Sequence, residues 1–206
     1  HSRLTKGMNL ISQFGIKDNL IKDVLVDSNT IIFSTVKSGI NIFHDSISYI
    51  VNTESNPVLQ TNNISQVIKY NKGYIISTYG GGIYLADEKF KNLILLPLSP
   101  NLNEGIYCDG DILWLISNGN LYQYHLTQHF IRKILLPDKY KSGGVTGKIY
   151  NDQNGTIYVL GRNYFISIKN DMVWEDYFYD MTITDIKVGN LAIKFDSGNK
   201  IFVPYN

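Results

Sequence analysis

Apolar residues along this chain come in short runs, each closed by a small polar residue and a glycine-bearing turn. Residues 31–43, 74–85 and 113–124 all read as an apolar strand, a Ser or Thr, a Gly turn and a second strand. Weaker copies follow at 157–166 and 191–202. The first apolar residue after each turn is Ile40, Ile83, Leu121, Phe165 and Ile201, so successive units lie 43, 38, 44 and 36 residues apart. Each unit is preceded by a short strand, at 21–26, 64–68, 104–108, 145–150 and 183–188. Asp-Gly, Asn-Gly and Gly-Asn pairs separate many of the strands, and these tolerate the positive φ of tight hairpins. A fourth strand is expected at 48–52, 91–96, 130–136 and 173–179. Four antiparallel strands recurring about every 40 residues is the pattern of β-propeller blades. The alternative is an all-β sandwich with chance similarity between hairpins.

The predicted fold is therefore an all-β propeller of about five four-stranded blades, forming one domain over 1–206. The blades are expected near 19–60, 61–100, 101–142, 143–180 and 181–206. The last lacks a strand, and residues 8–14 are a surplus apolar segment that would complete it and close the ring. Closure of that kind removes an exposed strand edge. The competing expectation is a piece of a larger propeller.

Composition sharpens this. The 206 residues include 28 Ile, 15 Tyr and 9 Phe but only two Ala, Ala86 and Ala192. Ala is the strongest helix former, whereas Ile, Tyr and Phe favour strands, so a helical bundle is excluded. A formal net charge of +1 gives no general attraction to nucleic acid or to an anionic membrane. No apolar stretch is long enough to span a membrane as a helix. The lone Cys108 excludes an intrachain disulfide and a cysteine metal cluster.

Motifs for chemistry are sparse. His125 and His129 are four apart but fall in a strand and a turn, and His44 stands alone, so no metal site is expected. No phosphate loop or nucleophile elbow is present, and Gly80-Gly81-Gly82 reads as a hairpin turn, so no cofactor is expected. Asp23, Glu104 and Asp185 stand at nearly equivalent places on first strands, which line a propeller's channel. Two of them at glycosidase separation would support hydrolysis of a sugar bond. The plainer expectation is carboxylates hydrated or paired with Lys22, Lys148 or Lys187. For a binding module, the turns between second and third strands place Lys37, Tyr79, Asn118, Arg162, Asn163 and Asn199 on one face. Aromatic, amide and guanidinium groups there suit an oligosaccharide or another small polar ligand.

The order strand, Asp- or Asn-containing turn, apolar strand ending in Ser/Thr, Gly-Gly turn and strand resembles the two-component-regulator propeller repeat. Residues 64–85 carry it best, with Gly73, Thr78, Gly81, Gly82 and Ile83 in place. Asp109, Gly110, Trp114, Ser117, Gly119 and Leu121 match in the third unit, and Asp27, Thr35, Gly39 and Ile40 in the first. The resemblance implies a non-catalytic, periplasmic or extracellular sensing module of a bacterial two-component regulator, with the kinase elsewhere and glycan-derived ligands among those sensed. It also implies further domains of the same chain, or a partner subunit, as contacts. A glycan-cleaving enzyme and a protein-interaction scaffold are the alternatives.

Overall fold

The computed structural model describes residues 15–16, 18, 20–45, 47–98, 103–134, 144–152, 154–161 and 164–169, with strands at 185–188 and 191–194. The chain divides into two units, His1–Asp171 and Met172–Asn206.

In the first unit every described element is a strand. The first sheet holds β1 (Ile21–Asp27), β2 (Thr30–Thr35), β3 (Ile40–His44) and β4 (Ile47–Val51) in that order. The second repeats it with β5 (Ile64–Tyr70), β6 (Gly73–Thr78), β7 (Ile83–Asp87) and β8 (Leu93–Leu95). The third holds β9 (Asn103–Asp109), β10 (Ile112–Ser117), β11 (Asn120–His125) and β12 (Phe130–Lys133). The fourth holds β13 (Val145–Asn151), β14 (Thr156–Gly161) and β15 (Phe165–Lys169). All pairings are antiparallel. The turn residues Ser28, Asn71, Gly110 and Asn118 take the positive φ that tight turns between strands require.

The second and third sheets are buried on two faces because each is sandwiched between neighbours, and the period-2 alternation of strands assigns the faces. Ile76 packs toward the first sheet with Ile32, Ile40 and Ile42. Its neighbour Ile75 points the other way, onto Ile106, Leu113 and Leu115. In β10, Leu113 and Leu115 face the second sheet, whereas Trp114 and Ile116 meet Val145, Ile149 and Ile157 of the fourth. Burying each such side chain contributes roughly 1.5–3 kcal/mol. β1 lies beside β5, β5 beside β9 and β9 beside β13, so the first strand of each sheet is the inner one. This is a propeller arrangement of blades.

The blade count is a correction to the sequence reading. Among the described residues the structure shows four blades, the fourth with three strands, not about five. In the second unit the fifth repeat appears among the described residues as one hairpin, β16 (Asp185–Val188) paired with β17 (Leu191–Lys194). The repeat spacing registers a hairpin wherever a turn sits between two apolar runs. A blade needs more: a lone two-stranded hairpin is marginal without further strands or a packed face. The expected strand at 173–179 and the ring-closing segment 8–14 lie outside the described residues.

Candidate functional site

The inner strands share a feature that the repeat does not announce. Near its start, each breaks register with the strand beside it. The ladder passes from Ile21 to Asp23 in β1, from Ile64 to Gln66 in β5 and from Asn103 to Gly105 in β9. The residues skipped are Lys22, Ser65 and Glu104. In β13 the break falls between Val145 and Ile149. Such bulges re-aim side chains and recur next to functional sites. Here they put an ammonium, a hydroxyl and a carboxylate at matching places on three successive blades, at one end of the inner strands.

Tyr79 stands at this end, on the turn after β6, held by its N–H donating to the Asn63 carbonyl at 2.8 Å. Its ring is exposed, and the Lys22 Nζ lies 4.8 Å from the ring centroid. Burial pulls the Lys22 amine below its usual range, and the Glu104 carboxylate opposes that pull. Asp23 makes an ion pair with Lys148 of β13, joining the first blade to the fourth. In the second blade, Asn63 Oδ1 and Ser65 Oγ are sealed from solvent without a hydrogen-bond partner. Stranded polar atoms of this kind are rare and mark places where structure serves something besides stability. Just inside, Gln66 Oε1 accepts from the Ile106 N–H at 2.9 Å and ties the second blade to the third. Gly105 and Gly147 pass so closely that a Cβ on Gly105 would run into the Gly147 carbonyl.

The other sequence candidates are placed as follows. Lys37 is exposed in the turn after β2, and its backbone N–H donates to Asp18 Oδ2 at 2.6 Å. Burial works against the Asp18 charge, but backbone N–H groups of Leu20, Lys37 and Ser38 outweigh it and hold that carboxyl below its usual range. Asn118 is an exposed turn residue at φ 50°, its carbonyl accepting from Asn120 Nδ2 at 2.9 Å. Among the described turn candidates, Tyr79 is thus the one brought against a charged group of an inner strand. Arg162, Asn163 and Asn199 lie outside the described residues, as does the side chain of Asp185. Glu104, expected beside Asp23 in the repeat, instead shares the skipped position with Lys22. Opposite charges therefore occupy matching places in the first and third blades. Lys22 and Ser65 were missed as site residues because a bulge depends on the neighbouring strand and leaves no local mark.

His44 and His125 end β3 and β11 and His129 lies in the turn after β11, with His129 Nδ1 at 2.7 Å from the Tyr124 hydroxyl and His44 Nδ1 at 2.8 Å from Thr30 Oγ1. Among the described residues no group of His, Cys, Asp and Glu is arranged to hold a metal ion. Burial, reinforced by Asp109 and Asp111, pushes the Cys108 thiol up to about 12, far from the thiolate a nucleophile needs.

The opposite end of the inner strands is built differently. Asp27 pairs with Lys69 at 2.8 Å and accepts from the Tyr74 hydroxyl at 2.9 Å. Lys69 also lies 4.5 Å from the Tyr74 ring centroid, and that ring stacks on Phe90. Tyr70 donates to Asp111, and Asn151 donates to the Tyr107 hydroxyl. The contacts of Asp27, Tyr70 and Asn151 run from one blade to the next. The Lys69 and Tyr74 bonds hold the Asp27 carboxyl below its usual range, and the Asp27 bond raises the Lys69 amine.

No protein-family model matches the chain, and a search of curated proteins found no match. Solved structures do match. The extracellular domain of a B. thetaiotaomicron protein, named as the hybrid two-component system BT3049, superposes with a TM-score of 0.65 at 17% identity, over 83% of this chain and 24% of that one. The corresponding domain of BT4673, from the same organism, gives 0.62 at 16% identity, over 87% of this chain and 23% of that one. An ancestral GH74 enzyme gives 0.57 at 12% identity, over 74% and 23%. The chain thus spans under a quarter of the length of these structures. The likeness, set beside four sheets packed face to face around their inner strands, establishes the β-propeller fold.

Proposed function

We propose that this chain is a non-catalytic, ligand-sensing propeller module of an extracytoplasmic two-component sensor, and that it takes a small glycan-derived ligand where the inner strands begin. The observation that carries this is the exposed Tyr79 ring set against Lys22, with Glu104 at the matching bulge of the third blade. An aromatic face with a few convergent polar groups is the usual make-up of a small-ligand site. The repeat's resemblance to two-component-regulator propellers, and the likeness to extracellular sensor domains, support the sensing role and a place outside the cytoplasm. Further domains of the same sensor chain, or a partner subunit, would carry the signal onward.

Isothermal titration of an oligosaccharide panel tests this. Tyr79→Ala is expected to weaken binding of any ligand found by about fivefold, given the ~1 kcal/mol scale of such aromatic contacts, while the unfolding midpoint stays put. Unchanged binding in that variant would place the ligand elsewhere. Release of shorter saccharides by the wild-type chain would make it an enzyme.

A further inference from the structure

The two charges at the candidate site face each other without touching. Lys22 and Glu104 occupy the skipped positions of the first and third blades, and the second blade, with Ser65 in its own bulge, stands between them. The Glu104 carboxylate acts on the Lys22 amine, yet among the described residues no ion pair joins them. Lys22 rests over the Tyr79 ring instead. Of the nearby charges, Asp23 is paired with Lys148, and the Asp18 carboxylate is held by backbone N–H groups and lies in the field of Lys37. Among the described residues, then, the skipped positions of the inner strands offer one cation and one anion outside any ion pair, with no surplus of either sign there.

A group that fits between them accepts a hydrogen bond at one end and donates one at the other. A hydroxyl does both, and neighbouring hydroxyls on a sugar ring do so at two points. A carboxylate or sulfate accepts only. It would gain Lys22 but bring a second negative charge toward Glu104, and like charges brought together in a partly desolvated site are costly.

We infer that Lys22 and Glu104 form a two-pronged clamp bridged by the hydroxyls of a neutral saccharide, and that Glu104 excludes saccharides carrying a carboxylate or sulfate. This rests on the reading of this end as a saccharide site. Lys22 supplies donors to a ring oxygen or hydroxyl, Glu104 accepts from an adjacent hydroxyl, and Tyr79 covers one side of the sugar. Charge-assisted bonds of this type are about twice as strong as neutral ones, so the clamp contributes selectivity as well as affinity.

The test is calorimetric titration of the intact chain with two probe sets. One holds neutral tetrasaccharides of glucose, xylose, mannose and galactose; the other holds tetragalacturonate and a chondroitin sulfate tetrasaccharide. The wild type is expected to bind a neutral probe and to bind the acidic set at least about tenfold more weakly, the effect of one uncompensated charge at close range. In Glu104→Gln the acidic affinity should rise by about tenfold while the neutral affinity falls, so the ratio collapses. Lys22→Met should weaken the neutral probe. The ratio is insensitive to partial misfolding, which lowers both affinities together. A wild type that prefers the acidic set, or a ratio unmoved in Glu104→Gln, overturns the clamp while leaving the saccharide site standing. Failure of every probe to bind overturns the saccharide reading itself.

Discussion

The two ends of the inner strands are made from the same four strands and put them to different use. Where the strands finish, charges are closed: Asp27 with Lys69 and Tyr74, Tyr70 with Asp111, Asn151 with Tyr107. Each contact crosses from one blade to the next and acts as a fastening. Where the strands begin, bulges break the ladder, Lys22 and Glu104 stay apart, and Ser65 Oγ has no partner. One end spends its polar groups on holding blades together; the other keeps some in hand. That asymmetry, more than any single residue, separates a binding end from a structural end in a repeat whose units are nearly alike.

The comparison breaks most visibly along β9, which has a glycine near each end. Gly105 is pressed against the Gly147 backbone, so Gly105→Ala forces the inner strands apart and is expected to cost about 2–3 kcal/mol. Gly110, in the turn at the other end, has open space around it and pays only for its φ of +55°. Gly110→Ala should cost about 1 kcal/mol. Urea unfolding reads both as a lower midpoint with an unchanged slope; equal midpoints would show that the strands are not crowded where they begin.

A middle-sized effect is expected at the ion pair between the first and fourth blades. Asp23 is 9% exposed at the side chain and Lys148 41%. Lys148→Met leaves the buried carboxylate unpaired and should cost about 2 kcal/mol, the scale for stranding a buried polar partner. Adding Asp23→Asn should recover most of the loss in thermal melts. Without that recovery, the pair would not couple the two blades.

The smallest effect belongs to the fastened end. Tyr74→Phe removes one hydrogen bond to Asp27 and should cost about 1 kcal/mol by chemical unfolding. The pH dependence follows from the two shifts. Asp27 is depressed in the folded state, so its contribution is present above the ordinary carboxyl pKa of about 3.9 and is lost as pH falls through the lower folded value. Lys69 is raised, so its contribution holds below about 10.4 and is lost as pH climbs through the higher folded value. Asp27→Asn should therefore flatten the stability profile below about pH 4. A profile that keeps its slope there would assign the acid sensitivity to other groups.

Much of the fold was legible. Gly110 and Asn118 belong to the Asp-Gly and Asn-Gly pairs that mark turns in the sequence, and both take a positive φ in the structure. The apolar run at 74–85 includes the adjacent pair Ile75 and Ile76, which the structure sends to opposite neighbours. The number of blades was less legible, since a hairpin signal at 191–202 does not say whether strands flank it. The candidate site was legible only in part. Tyr79 came from its place in a turn. Lys22 and Ser65 did not, because a skipped residue exists only relative to the strand it fails to pair with.

The sequence by itself determined local things: where strands start and stop, which faces are apolar, and that the units repeat. These follow from backbone sterics and side-chain alternation within a few residues. The tertiary structure alone decided which charges meet. Asp23 and Lys148 are separated by 125 residues and find each other only because inner strands gather side by side. Lys22 and Glu104 become an opposed pair for the same reason. Their pairing is a property of distance in space, and no periodicity along the chain encodes it.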